Sequence, residues 1–113
     1  MNAYLIKKKE DFANVFRNGS FLNCRSFTIN YAKKAKAINI NLPRFGIVAS
    51  KKVGNAVQRN FAKRRIKALK NIFLNYGKNE FDYILVAKKN ILNEKFKILS
   101  FQLEQTLNKI KIS

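Results

Sequence analysis

Acidic residues are scarce in this 113-residue chain: 6 Asp+Glu stand against 24 Lys+Arg, a formal net charge of +18. They are Glu10, Asp11, Glu80, Asp82, Glu94 and Glu104, so nothing acidic lies between Phe12 and Asn79. A merely solvated surface mixes its signs, and an acid-free interval of this length calls for a polyanionic partner, with nucleic acid ahead of an anionic membrane. Histidine is absent and Cys24 is the only cysteine. That excludes a Cys/His zinc site, an internal disulfide and a Ser/His or Cys/His nucleophile. The acidic pairs Glu10–Asp11 and Glu80–Asp82 mark a helix first turn and a strand entry, not the converging carboxylates of metal-assisted hydrolysis. No GxxxxGK[ST] loop occurs. No apolar run approaches the ~18 residues that span a bilayer. Lysines at positions 7 to 9 lack a hydrophobic core behind them, so no secretory signal is expected, and the lone thiol fits a reducing, cytoplasmic compartment.

What is present suits one folded domain over residues 1–113. The hydrophobic fraction is 47%, with Phe 10 and Tyr 4, enough for a modest core. Residues 1–8 read as an extended arm. Residues 10–18 form a short helix with acids in its first turn and Gly19 after it; Phe12 and Phe16, four apart, share a face. Residues 20–25 read as loop. Residues 26–33 alternate, with Phe27, Ile29 and Tyr31 on a buried face and Thr28, Asn30 and Ala32 on the other. After a basic connection ending at Pro43, residues 44–50 form a second strand, expected to pair with the first as an antiparallel hairpin. The near-continuous apolar run at 81–87 is a central strand. A turn at 88–92 and a final helix capped by Asn93 complete an α+β domain of order α-β-β-α-β-α.

Between the second and third strands lies the segment around which the chain is organised. Residues 55–77 predict one long helix, with Asn55 as its cap and Gly77 taking a left-handed conformation at its end. At about 100° per residue, Arg59, Lys63, Lys67 and Lys70 gather on one arc, with Asn60 and Arg64 beside them. Ala62, Ile66, Leu69, Ile72, Phe73 and Tyr76 lie opposite, interrupted only by Arg65, whose charge is expected to reach solvent. Such an arc suits phosphate and shape readout of folded RNA. Phe12, Phe16 and Tyr31, on separate elements before it, suit a stacking groove for an unpaired strand. Together they describe an adaptor between a structured RNA and a single strand.

The run SKKVGNAVQRNFAKR at 50–64 resembles the signature of the bacterial ribonuclease P protein family, with Lys51, Lys52, Gly54, Asn55, Ala56, Val57, Arg59, Asn60, Lys63 and Arg64 on its pattern. EDFANVFRNG at 10–19 resembles the family's first helix, and DYILVA at 82–87 its third strand. The resemblance covers nearly the whole chain, in order. It implies the accessory protein of a ribonucleoprotein endonuclease whose catalyst is RNA and which removes the 5′ leader of precursor tRNA. The hydrolysis would depend on Mg2+ held by the RNA, with one protein per catalytic RNA. It further implies a left-handed β-α-β crossover, against the usual handedness. Lys51, Lys52, Asn55, Arg59, Asn60, Lys63, Arg64 and Lys67 would then face the catalytic RNA. Phe12 and Phe16 would face the leader, joined by Asn30 or its neighbour Tyr31 at a position where the family commonly has an aromatic. Two other positions depart from the pattern: Phe61 stands where a second arginine often follows Arg-Asn, and Lys88 where an arginine follows the third strand. The competing reading is a structural ribosomal-type RNA-binding protein.

Overall fold

A strand that is apolar on both sides has to be covered on both faces, which places it inside a sheet. In the computed structural model, which describes residues 4–35 and 38–110, the strand β4 (Phe81–Ala87) is such a strand. The sheet has four strands in the order β1-β2-β4-β3, where β1 is Ser20–Asn23, β2 is Phe27–Lys33 and β3 is Arg44–Val48. β4 runs antiparallel to β2 and parallel to β3. The expected hairpin between the strands at 26–33 and 44–50 therefore does not form: β4 separates them, because its two apolar sides claim the middle of the sheet. The segment expected as loop at 20–25 supplies the edge strand β1, antiparallel to β2. Its pairing comes from β2, not from any pattern of its own.

Among the described residues, five helical segments join the sheet: α1 (Lys9–Asn18), α2 (Ala56–Lys67), α3 (Lys70–Tyr76), a 3-10 turn (Lys89–Leu92) and α4 (Phe96–Lys109). The single helix expected over 55–77 is thus two. Leu69 sits at φ −88°, ψ 7°, outside the α-helix, and its amide donates to Ile66 O at 2.9 Å in a tightened turn. A straight helix of that length would extend about 35 Å, longer than the domain's short dimensions of 27 Å. The break lets both halves follow the sheet, and Phe73 of α3 stacks on Phe45 of β3 at 4.3 Å between ring centroids. Tyr76, expected on the buried side, is exposed in the last turn. Gly77 is extended rather than left-handed; a Cβ there would meet Phe73 O at 2.6 Å. α4 begins after Lys95, which makes no side-chain cap, so Asn93 is not its cap.

The pleat sends Phe27 and Ile29 of β2, Tyr83 and Leu85 of β4 and Phe45 of β3 to one side, where they pack with Ile66, Phe73, Leu99 and Leu103 of α2, α3 and α4. The opposite side carries Ala32 and Ile84, covered by Val15 of α1 and by Ile6. β2 is therefore packed on both faces, not on one. The described part of the expected N-terminal arm is also fixed. Leu5 bridges Phe45 in parallel, the Phe45 amide donates to Tyr4 O at 2.7 Å, and the Ile6 amide donates to Phe45 O at 2.9 Å. These bonds cover the start of the β3 edge, which would otherwise expose unpaired backbone groups.

Candidate nucleic-acid interface

The basic face begins with a helix start that the local residue order enforces. Asn55 Oδ1 accepts the Gln58 amide at 2.9 Å and Gln58 Oε1 accepts the Asn55 amide at 2.8 Å, a reciprocal capping box. Gly54 precedes it at φ +151°, a conformation that side chains rarely adopt, and a Cβ there would collide with Gln58 Oε1. Arg59 Nη1 donates to Gly54 O at 3.1 Å, tying this half-buried arginine to the same turn. Asn55 and Arg59 therefore build the platform as well as belonging to it. Lys51, Lys52, Asn60, Lys63, Arg64 and Lys67 are exposed. Lys70 lies in α3, across the break, with its ammonium 5.7 Å from the Tyr4 ring centroid. Arg65 does not reach for solvent: its guanidinium donates to Leu92 O at 3.4 Å and to Glu94 O, fastening α2 to the segment before α4. Phe61 is partly exposed, with the guanidinium carbons of Arg64 and Arg65 5.9 and 5.6 Å from its ring centroid.

The aromatic face is built by α1 and the side of the sheet it covers. Phe12 lies over Gly46, where a Cβ would come within 2.7 Å of its ring, so only glycine admits this approach. Phe16 remains 50% exposed. Asn30 pairs with Ile84, which pairs with Gly46, placing Asn30 on the side of the sheet that Phe12 covers. Tyr31 points to the other side, edge-on to Phe81 at 5.9 Å. The strand has no register shift, so Asn30 and not Tyr31 joins Phe12 and Phe16. The sequence reading missed one aromatic. Phe21 pairs with Asn30 across β1, faces the same side and is 61% exposed. Its signal was hidden because four residues between Gly19 and Cys24 carry no legible alternation.

Three charged groups hold α1 in place over the sheet. Arg44 Nε donates to Asp82 Oδ1 at 2.8 Å and Nη2 to Oδ2 at 2.6 Å, a bidentate pair around a fully buried carboxylate. The same Nη2 lies 3.5 Å from Asp11 Oδ2 on α1. The hydrogen bonds that Arg44 donates to Asp82 raise the Arg44 pKa, partly opposed by burial. Lys34 shifts the other way, lowered chiefly by burial; its ammonium donates to Ile40 O at 2.5 Å and to Leu42 O. These bonds draw the connection before β3 back onto the domain, and no strand forms at 38–43.

The two faces meet. A depression of about 220 Å³ is lined by Phe12 of α1, by Lys63 and Lys67 of α2, and by Lys7 and Ile47. Sequence periodicity had placed the aromatics and the basic arc on separate surfaces.

The family model for ribonuclease P matches residues 1–111. The chain belongs to the ribonuclease P protein family. The ribonuclease P protein component of Carboxydothermus hydrogenoformans is 35% identical over 108 residues, covering 95% of this chain and 88% of that protein. The solved RNase P protein of Staphylococcus aureus is 30% identical with a TM-score of 0.77, covering 95% of this chain and 94% of that one. The RNase P protein of Thermotoga maritima, 23% identical with a TM-score of 0.79 over 94% of this chain and 96% of that one, shares the fold. Family membership favours the ribonuclease P reading over the ribosomal one.

Proposed function

We propose that this chain is the accessory protein of a tRNA-processing ribonuclease, docking on a catalytic RNA through α2 and holding the 5′ leader of precursor tRNA along the α1 face, one protein per RNA. Lys51, Lys52, Asn60, Lys63, Arg64 and Lys67 supply the exposed groups of the docking face, with Asn55 and Arg59 shaping it. Phe12, Phe16 and Asn30 serve the leader. The observation that carries the reading is the shared depression, where Phe12 stands beside Lys63 and Lys67. A strand stacking on aromatics there comes within reach of cations that also face the docked RNA.

Three of the carboxylates are committed to the protein's own cations: Asp11 and Asp82 both engage Arg44, and Glu94 lies 3.7 Å from Arg25. Among the described residues no three Asp, Glu, His or Cys side chains group to hold a metal. Hydrolysis is assigned to the RNA together with its own Mg2+, as the family resemblance implies, and the protein contributes binding and orientation. No helix among the described residues is long and apolar enough to cross a membrane; a cytoplasmic location belongs to the same proposal.

The test is reconstitution with a ribonuclease P RNA at low magnesium. Leader removal is expected to be faster, and precursor tRNA to bind more tightly, than with RNA alone; no gain in either overturns the reading. Within that assay, Lys63→Ala and Arg59→Ala should each flatten the dependence of log affinity on log salt by about one unit, as for one lost phosphate contact. An unchanged slope for either removes that residue from the phosphate contacts.

A further inference from the structure

The outer side of α4 exposes Phe101 by 63% and Ile98 by 41%, on the helix face opposite Leu99 and Leu103. Beside Phe101, a groove of about 240 Å³ runs between α4 and the end of the edge strand β1, lined by Asn23, Arg25, Gln102, Gln105 and Lys109. Its floor is closed by Cys24 Sγ against Thr106 Oγ1 at 3.0 Å. Gln102 Oε1 accepts the Ser26 amide at 3.3 Å, which fixes one amide side chain at the rim.

This is the chemistry of a single-stranded RNA site: a ring for stacking, carboxamides that can read a base edge, and cations for phosphate. The volume suits one unstacked base rather than a larger ligand. The charge argues for RNA against a second copy of the chain, since two chains of net charge +18 repel. The groove is also continuous with the α1 face. Asn23 pairs with Thr28 across β1 and accepts its hydroxyl at 2.9 Å, on the side of the sheet that holds Asn30, and Asn23 lines the groove as well. Exposed Phe21 stands two residues before it, on that same side.

We propose that a second nucleotide subsite lies in this groove, reached from the α1 face past Phe21 and Asn23, and that it takes leader nucleotides farther from the cleavage site than those over Phe16. It rests on the leader reading given above.

The experiment measures affinity of the reconstituted ribonucleoprotein for precursor tRNAs with a leader of only a few nucleotides and with a long leader. Phe101→Ala is expected to weaken the long-leader substrate about fivefold or more, the size of one lost stack, and to leave the short-leader substrate unchanged. Phe101→Tyr, which keeps the ring, is expected to restore it, while Phe16→Ala weakens both. If Phe101→Ala leaves the length dependence intact while Phe16→Ala still weakens both, the subsite is overturned and the leader reading stands. If the unaltered protein shows no preference for leader-bearing substrate, both fall. If Phe101→Ala instead dissolves a dimer in sedimentation with substrate affinity unchanged, the face is a protein interface and the proposal is overturned. Thermal melting by circular dichroism confirms that each variant folds.

Discussion

The same strands make both faces of the sheet, yet the faces are held together by different forces. β4 sends Phe81, Tyr83, Leu85 and Ala87 to one side, where three helices close over them and ring stacks such as Phe45–Phe73 fill the space. To the other side it sends Asp82, Ile84 and Val86, and there α1 covers only part of the surface. On the closed side, cohesion is spread over many apolar contacts with no direction to them. On the half-open side, directed bonds from Arg44 to Asp82 and a close charge on Asp11 hold α1 over the sheet. The lesson is that a face left open for a ligand cannot rely on burying area. It needs a few specific contacts, and here they are ionic and shielded from water.

Substitutions can test this contrast, beginning with the largest effect. Asp82→Ala removes the partner of a buried guanidinium and should cost about 3–5 kcal/mol. Phe73→Ala opens the closed face and should cost a similar ~3–5 kcal/mol. Urea denaturation measures both, and a loss under about 1 kcal/mol for Asp82→Ala would show that the half-open face does not depend on this buried pair. Gly46→Ala comes next: its methyl group displaces the Phe12 ring, at a cost of about 1–3 kcal/mol. In a double-mutant cycle with Phe12→Ala the penalties should fail to add; simple additivity would separate the glycine from the ring. The smallest change in stability belongs to Phe16→Ala, within about 0.5 kcal/mol as for an exposed site. That variant should nevertheless bind leader-bearing substrate less well while binding mature tRNA as before. Equal loss for both substrates would return Phe16 to a packing role.

Much of the interface could be read locally. Helical spacing put Phe12 and Phe16 on one face, and Asn55, just after Gly54, announces a helix start. Lys63, Arg64 and Lys67 were legible as an exposed arc because the apolar residues opposite them have to be buried. Other features were not legible, each for a physical reason. Leu69 leaves the helix because the element must follow a sheet of limited size, which its own propensity does not encode. Arg65 satisfies carbonyl groups that lie 27 and 29 positions away. β1 exists only because β2 offers it an edge.

For this protein, then, sequence alone determined the charge, the residue order of the signature, the helix cap and the alternation of β2, all legible within a few positions. Tertiary structure decided which strands are neighbours, which side of the sheet α1 covers, and that Asn30 rather than Tyr31 shares it with Phe12. It also brought Phe12 to Lys63 and Lys67. A pleat gives every strand two faces, but only distant parts of the chain determine what covers each.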